Sequence, residues 1–146
     1  MGLGLDPKVW GPHYWFVMHT IAMGYPIHPN SMTKKKYYEF ITYQLPLFIP
    51  IEAMATGFSK LLNEYPVLPY LDSRDSFIRW THFIHNKINE RLEKKQISLS
   101  KFYENYYEQY KSPDEKNRDY YRLLSKLVYI SIMLFIIFSI YYLYNI

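Results

Sequence analysis

No cysteine occurs among the 146 residues. Disulfides, thiolate nucleophiles, iron–sulfur clusters and thiolate zinc sites all need that side chain, so this stretch of chain can hold none of them. Glycine is scarce, five in all, and no Asn-Gly or Asp-Gly pair separates two alternating runs, so strand hairpins are not expected. No internal repeat appears. Basic residues are scattered apart from Lys34, Lys35 and Lys36, and the formal charge is only +4. A nucleic-acid surface needs clustered Lys/Arg along one face, so no nucleic acid is expected as a partner. His82 and His85 sit three apart but share no face with an acidic residue, and zinc needs three or four ligands, so no metal is expected. The segment Met1–Asp6 has no charged region followed by an apolar one and is not read as a secretory signal. Gly2 opens a myristoylation-like pattern, but Asp6 stands where that pattern wants Ser or Thr.

What is present is aromatic and apolar. Aromatic side chains make up 20% of the chain, with 17 Tyr and 9 Phe, enough for a small domain to bury a core rather than stay disordered. The length fits one domain plus an anchor. From Leu127 to Ile146 the sequence LVYISIMLFIIFSIYYLYNI carries no charge. About 20 such residues span the ~30 Å hydrocarbon core of a bilayer as a helix. Lys116, Arg118, Arg122 and Lys126 precede the run, and Tyr141, Tyr142 and Tyr144 lie near its far end. This pattern predicts a C-terminal anchor with the domain on the cytosolic side. Ser112-Pro113-Asp114-Glu115 reads as an N-cap, an N1 proline and a capping-box acid. The anchor helix is therefore expected to begin near Pro113, which divides the chain into a domain (1–111), a helical stalk (112–126) and a transmembrane anchor (127–146).

The rest reads as helices. Asp6-Pro7 opens the first, in which Trp10, Tyr14, Trp15, Val17, Met18, Ile21 and Ala22 recur at three- and four-residue steps until Gly24-Tyr25-Pro26. After a loop over Ile27–Met32, a second helix is expected over Thr33–Leu47, with Tyr37, Tyr38, Phe40, Ile41 and Leu45 inward. A third over Ile51–Leu62 places Met54, Phe58, Leu61 and Leu62 on one side. Pro66 and Pro69 then force an extended link. Asp72 or Ser73 caps a fourth helix to Lys94, with Phe77, Trp80, Thr81, Ile84, Ile88 and Leu92 inward, and Ser100 caps a short fifth through Tyr110. The expected class is all-α: a four-helix bundle with a short fifth helix, followed by one transmembrane helix.

Two constellations carry a chemical message. On the first helix, Gly11, Trp15 and His19 are spaced by four, and Trp15 and His19 share a face. On the fourth, Trp80 is followed by His85, Asn86, Asn89, Leu92 and Lys94. Together they offer a flat stacking surface, hydrogen-bonding groups and a cation, a set suited to a planar heteroaromatic ligand bearing a pyrophosphate between two helices. The phrases WGPHYWFVMHTIAMGYP (10–26) and WTHFIHNKINERLEK (80–94) resemble the Erv/ALR family of FAD-linked sulfhydryl oxidases, most closely the forms carried by large DNA viruses. The resemblance covers about Asp6–Lys95. It implies a dimeric helical bundle holding FAD inside it, with Gly11, Trp15 and His19 lining the flavin and Trp80 near the adenine. His85, Asn86 and Asn89 would bond the ribose, adenine or phosphate region, and Lys94, with Lys95 adjacent, would meet a phosphate. Glu93 stands where the family commonly has Gly.

The resemblance also implies a redox Cys-x-x-Cys after a proline, and this chain departs from it. Pro50-Ile51-Glu52-Ala53-Met54 puts Ile51 and Met54 in the two thiol positions, and neither side chain can become a thiolate nucleophile. The expected function is that of a membrane-anchored, non-catalytic relative, a structural or scaffolding protein of a virion that links capsid and internal membrane and still binds FAD. Its expected partners are membrane lipid, a second copy of itself or virion structural proteins. The alternatives are a flavoenzyme of altered chemistry, an FAD-dependent thiol oxidase forming disulfides in viral proteins with its cysteines missing only from this chain, and a dimerisation module without flavin. A further expectation places anionic lipid headgroups against Lys34–Lys36.

Overall fold

The computed structural model describes residues 4–145. Gly2, the myristoylation-type position, and Ile146, the end of the apolar run, lie outside them. The chain divides into two compact units, residues 1–106 and 107–146. Every regular element among the described residues is helical.

In the first unit, α1 (Pro7–Met23) starts where the Asp6 carboxylate accepts the Lys8 N–H at 2.8 Å, with Pro7 supplying a preset φ at the first position. Met18, His19 and Ala22 form its buried stripe. Val17, expected to face inward, is exposed at 53%, because it lies a quarter-turn off the Met18–Ala22 line. α2 (Ser31–Glu39) begins two residues earlier than its apolar pattern suggested. Asn30 is the reason: its side chain accepts the Thr33 N–H at 2.8 Å. The second helix does not stay α-helical to Leu47. It widens into a π turn over Phe40–Gln44 and tightens into a 3-10 turn over Leu45–Phe48. Pro46 has no N–H to give the ladder and crowds the preceding turn, so the regular helix cannot pass through it. Ile41 and Leu45 are buried, while Tyr37, Tyr38 and Phe40 pack partly buried against the core.

α3 (Glu52–Glu64) buries Phe58, Leu61 and Leu62. A 3-10 turn at Leu68–Tyr70 leads to α4 (Arg74–Arg91), which Ser73 caps by accepting the Ser76 N–H at 3.2 Å. α4 packs most extensively against α1 and buries Phe77, Ile78, Trp80, Thr81 and Ile84; Leu92, expected inward, lies beyond the helix end and is exposed. The end itself is a Schellman turn. The Lys94 N–H bonds the Asn89 carbonyl at 2.8 Å and the Glu93 N–H bonds the Glu90 carbonyl at 3.1 Å. The turn needs a left-handed residue, and Glu93 supplies it at φ 55, at a cost that glycine would avoid. α5 (Leu99–Glu108) is capped by Ser98, not Ser100: the Ser98 hydroxyl accepts the Lys101 N–H at 3.2 Å.

An aromatic core ties these helices together. Tyr25 is fully buried with its hydroxyl donating to the Leu71 carbonyl at 2.8 Å, and its ring meets Tyr37 and Phe77 edge-on. Arg74 donates to the Tyr25 carbonyl from the start of α4. These contacts fix the α1–α2 corner against α4.

In the second unit, α6 (Pro113–Tyr144) is one unbroken helix of 32 residues. Its start is the expected capping box: the Ser112 hydroxyl accepts the Glu115 N–H at 3.2 Å, and the Glu115 carboxylate accepts the Ser112 N–H at 2.8 Å. The helix is long and apolar enough to cross a membrane, and none of its apolar window is buried in protein.

Candidate functional site

The antiparallel packing of α1 on α4 brings the two sequence constellations face to face. The Trp15 indole stacks on the His85 ring with centroids 4.1 Å apart and planes 11° apart, and on His19 at 5.7 Å. At 4.1 Å no third ring fits between Trp15 and His85, so a planar ligand would have to lie on an outer face of this stack. His19 Nε2 and His85 Nδ1 share a hydrogen bond of 3.2 Å. Phe102 of α5 closes the cluster from the other side, its ring edge-on to His19 at 4.5 Å and to His82 at 5.5 Å.

The electrostatics follow from burial. His19 is pushed down to about 3 by burial, then by the neighbouring His85 and His82. His85 is pushed down to about 4 by burial, then by His82 and Lys94. Both rings are therefore neutral near pH 7. One donates and the other accepts across the shared hydrogen bond, and His19 Nδ1 is left buried with no partner among the described residues. A buried nitrogen of that kind ordinarily has one. Gly11 lies a turn before Trp15, and a Cβ there would meet nothing within 4 Å. Lys94 is exposed, held at the helix end by the Schellman turn.

The other motif residues are placed differently. Trp80 is 1% exposed and its indole N–H donates to the Tyr65 carbonyl at 3.1 Å; it is a core residue with no free face for stacking. Asn86 pairs with a backbone unit, accepting the Ile97 N–H at 3.0 Å and donating to the Ile97 carbonyl at 2.9 Å. His82 Nε2 donates to the same carbonyl at 2.8 Å. Asn86 and His82 thus pin Ile97 to α4, and the Asn86 amide and His82 Nε2 are engaged there. Asn89 is buried and its carbonyl carries the Schellman bond. A cleft of about 190 Å³ opens beside this clamp, lined by His82, Phe83, Asn86, Lys87 and Gln96. Phe102 and His82 had no place in the constellations read from sequence. The trace for Phe102 was its four-residue step to Tyr106 on the buried face of α5; that for His82 was its four-residue step to Asn86 on α4.

Ile51 and Met54 lie at the start of α3, as the N-cap and in the first turn, both half-buried. A helix N-terminus is where a thiol would be most readily ionised. Here that field acts on an alkyl group and a thioether.

Known proteins share both the sequence and the fold. Residues 12–108 match the Erv1 / Alr family. The chain is 34% identical over 102 residues to the FAD-linked sulfhydryl oxidase of African swine fever virus (isolate Pig/Kenya/KEN-50/1950), covering 68% of this chain and 81% of that protein. It is 34% identical over 96 residues to a probable FAD-linked sulfhydryl oxidase of Acanthamoeba polyphaga mimivirus, covering 64% of this chain and 66% of that one. The solved FAD binding domain of Erv1 from Saccharomyces cerevisiae superposes with a TM-score of 0.60 at 28% identity, covering 64% of this chain and 87% of that structure. The matched span runs from Pro12 within α1 to the end of α5 and takes in the stacked Trp15–His85 pair and the thiol-free start of α3, with Gly11 just before it. On that shared sequence and shared bundle, the chain belongs to the Erv1 / Alr family.

Proposed function

We propose that this chain is a membrane-anchored member of the family that has given up thiol oxidation and is retained as a structural or scaffolding protein. The carrying observation is the pair Ile51 and Met54 at the start of α3, in 146 residues that contain no cysteine. The family's reaction needs a thiolate to attack and to pass electrons on, and neither side chain ionises or forms a sulfur–sulfur bond.

The flavin-type domain, residues 1–111, keeps features that fit FAD. His19 Nδ1 is buried without a partner, Gly11 leaves open space, and Trp15 and His85 offer a flat aromatic surface. Gly11, Trp15, His19 and His85 would line the ring system, and Lys94 would meet a phosphate. Trp80, Asn86 and Asn89 support this face from behind through Tyr65, Ile97 and the Schellman turn. When bound, FAD supplies two-electron chemistry; the neutral histidines offer hydrogen bonds without adding charge beside it. Residues 127–146 cross the bilayer, residues 112–126 form the stalk, and the domain faces the cytosol, as the basic flank before α6's apolar run favours. A second copy of the chain or virion structural proteins at an internal membrane are the partners this reading implies.

The test is a visible spectrum and a thiol-oxidation assay on the full chain purified in mild detergent. Bound flavin without dithiothreitol oxidation is the expected result, and the double substitution Ile51→Cys/Met54→Cys is expected to introduce oxygen-dependent thiol oxidation. Oxidation of dithiothreitol with peroxide release by the unaltered chain, faster than by free FAD, would refute the non-catalytic reading.

A further inference from the structure

The charged residues at the start of α6 are sorted in a way that the anchor alone does not require. Arg118, Arg122 and Lys126 step by four, so they form one stripe over ~12 Å of helix. Tyr120, Leu123, Leu124 and Leu127 step by three and four on the opposite side, and all four are exposed. The apolar surface therefore begins about two turns before the uncharged run, on one side only, while the cations hold the other side down to Lys126.

Two of the acids nearby, Glu115 and Asp119, already have partners. Glu115 lies on the same face as Arg118, but its carboxylate accepts the Ser112 N–H at 2.8 Å in the capping box. Asp119, at the edge of the stripe, is paired with Lys111 at 2.7 Å, and Lys111 also reaches Glu108 at 2.9 Å. Arg122 touches Asp119 only at 3.9 Å. Arg118 and Lys126 make no ion pair among the described residues. Beyond Asp119 the helix carries Arg122 and Lys126 and no acid, so the stripe is net positive where the helix turns apolar.

We propose that Arg118, Arg122 and Lys126 form a binding surface for the headgroups of anionic phospholipids in the bilayer that α6 enters. The inference rests on the reading of α6 as a membrane span. Tyr120, Leu123 and Leu124 sink into the interface on one side of the helix. The three cations, on the opposite side, meet phosphate and carboxylate groups at headgroup depth. Charge complementarity selects the lipid class: a zwitterionic headgroup offers no net attraction, whereas each Lys or Arg at an anionic surface contributes about a fivefold preference.

The test reconstitutes the full chain into vesicles of phosphatidylcholine alone and of an equimolar mixture with phosphatidylserine. Flotation under alkaline carbonate reads the span, and mass spectrometry of detergent-released protein reads the lipids retained. The expected result is flotation with both vesicles and enrichment of phosphatidylserine over phosphatidylcholine by about tenfold or more, reduced by added salt. Arg118→Gln/Arg122→Gln/Lys126→Gln is expected to float equally well and lose the enrichment. Lys34→Gln/Lys35→Gln/Lys36→Gln is expected to keep it. Flotation with no enrichment, or enrichment lost in the Lys34–Lys36 variant and kept in the α6 variant, overturns this proposal and leaves the span intact. Failure to float with either vesicle overturns the span and the proposal together.

Discussion

Acid should unfold the first unit through His19 and His85. Their folded-state values, about 3 and about 4, lie below the unfolded imidazole value of 6.5. The unfolded chain thus binds more protons than the folded one throughout that window. For a base depressed in this way, stability is complete above the unfolded value and is lost as pH falls through 6.5 toward the folded values. At about pH 5 the unfolded rings are nearly fully protonated and the folded ones nearly neutral, so each histidine removes ~2 kcal/mol relative to high pH. The pair together removes ~4 kcal/mol, a large part of the stability of a domain this size. Near pH 5 the slope should be ~2.5 kcal/mol per pH unit, corresponding to nearly two protons taken up on unfolding.

Urea unfolding followed by tryptophan fluorescence reads this cleanly, because Trp10, Trp15 and Trp80 all lie in the first unit. His19→Gln and His85→Gln should each roughly halve the slope, and the double variant should flatten it between about pH 5 and pH 6.5. The two rings share a hydrogen bond, so the single variants are expected to couple rather than add. A wild-type slope under ~1 kcal/mol per pH unit, or a double variant that keeps the full slope, would refute the placement of both rings as buried and neutral.

Three further outcomes follow from local geometry. Glu93→Gly relieves the left-handed strain at the Schellman turn and should raise stability by about 1 kcal/mol, read as a higher urea midpoint at unchanged m-value. Asn86→Ala removes both bonds to Ile97 and leaves that backbone unit without them, costing about 1–3 kcal/mol; hydrogen exchange should show the Ile97 amide losing protection before the α4 interior does. Phe102→Ala opens a cavity against His19 at a cost of about 3–5 kcal/mol. By readmitting water it should also raise the histidine pKa values and flatten the acid slope.

Some of the molecule was fixed along the chain itself. The absence of cysteine is a property of composition, and no fold can supply a thiolate that the residues lack. The starts of α1 and α6 were legible because Asp6-Pro7 and Ser112-Pro113-Asp114-Glu115 satisfy helix-end N–H groups two or three residues away. The apolar run of α6 was legible because its length and lack of charge need no partner to interpret. Trp15, His19 and His85 could be placed on helix faces by counting fours. Their meeting at 4.1 Å and 3.2 Å required α1 to lie on α4.

Tertiary structure alone decided the rest. Asn86 and Trp80 carried the same motif, yet their polar groups bond backbone units eleven and fifteen residues distant in sequence, Ile97 and Tyr65. A motif gives a residue's neighbours along the helix but not which distant carbonyl the next turn will bring within reach. The π turn at Phe40–Gln44, the left-handed Glu93 and the ring of Phe102 against His19 have the same origin. Each is a local conformation or contact that sequence propensity does not favour by itself, and each is held because the packed bundle satisfies more hydrogen bonds and buries more apolar surface with it than without it.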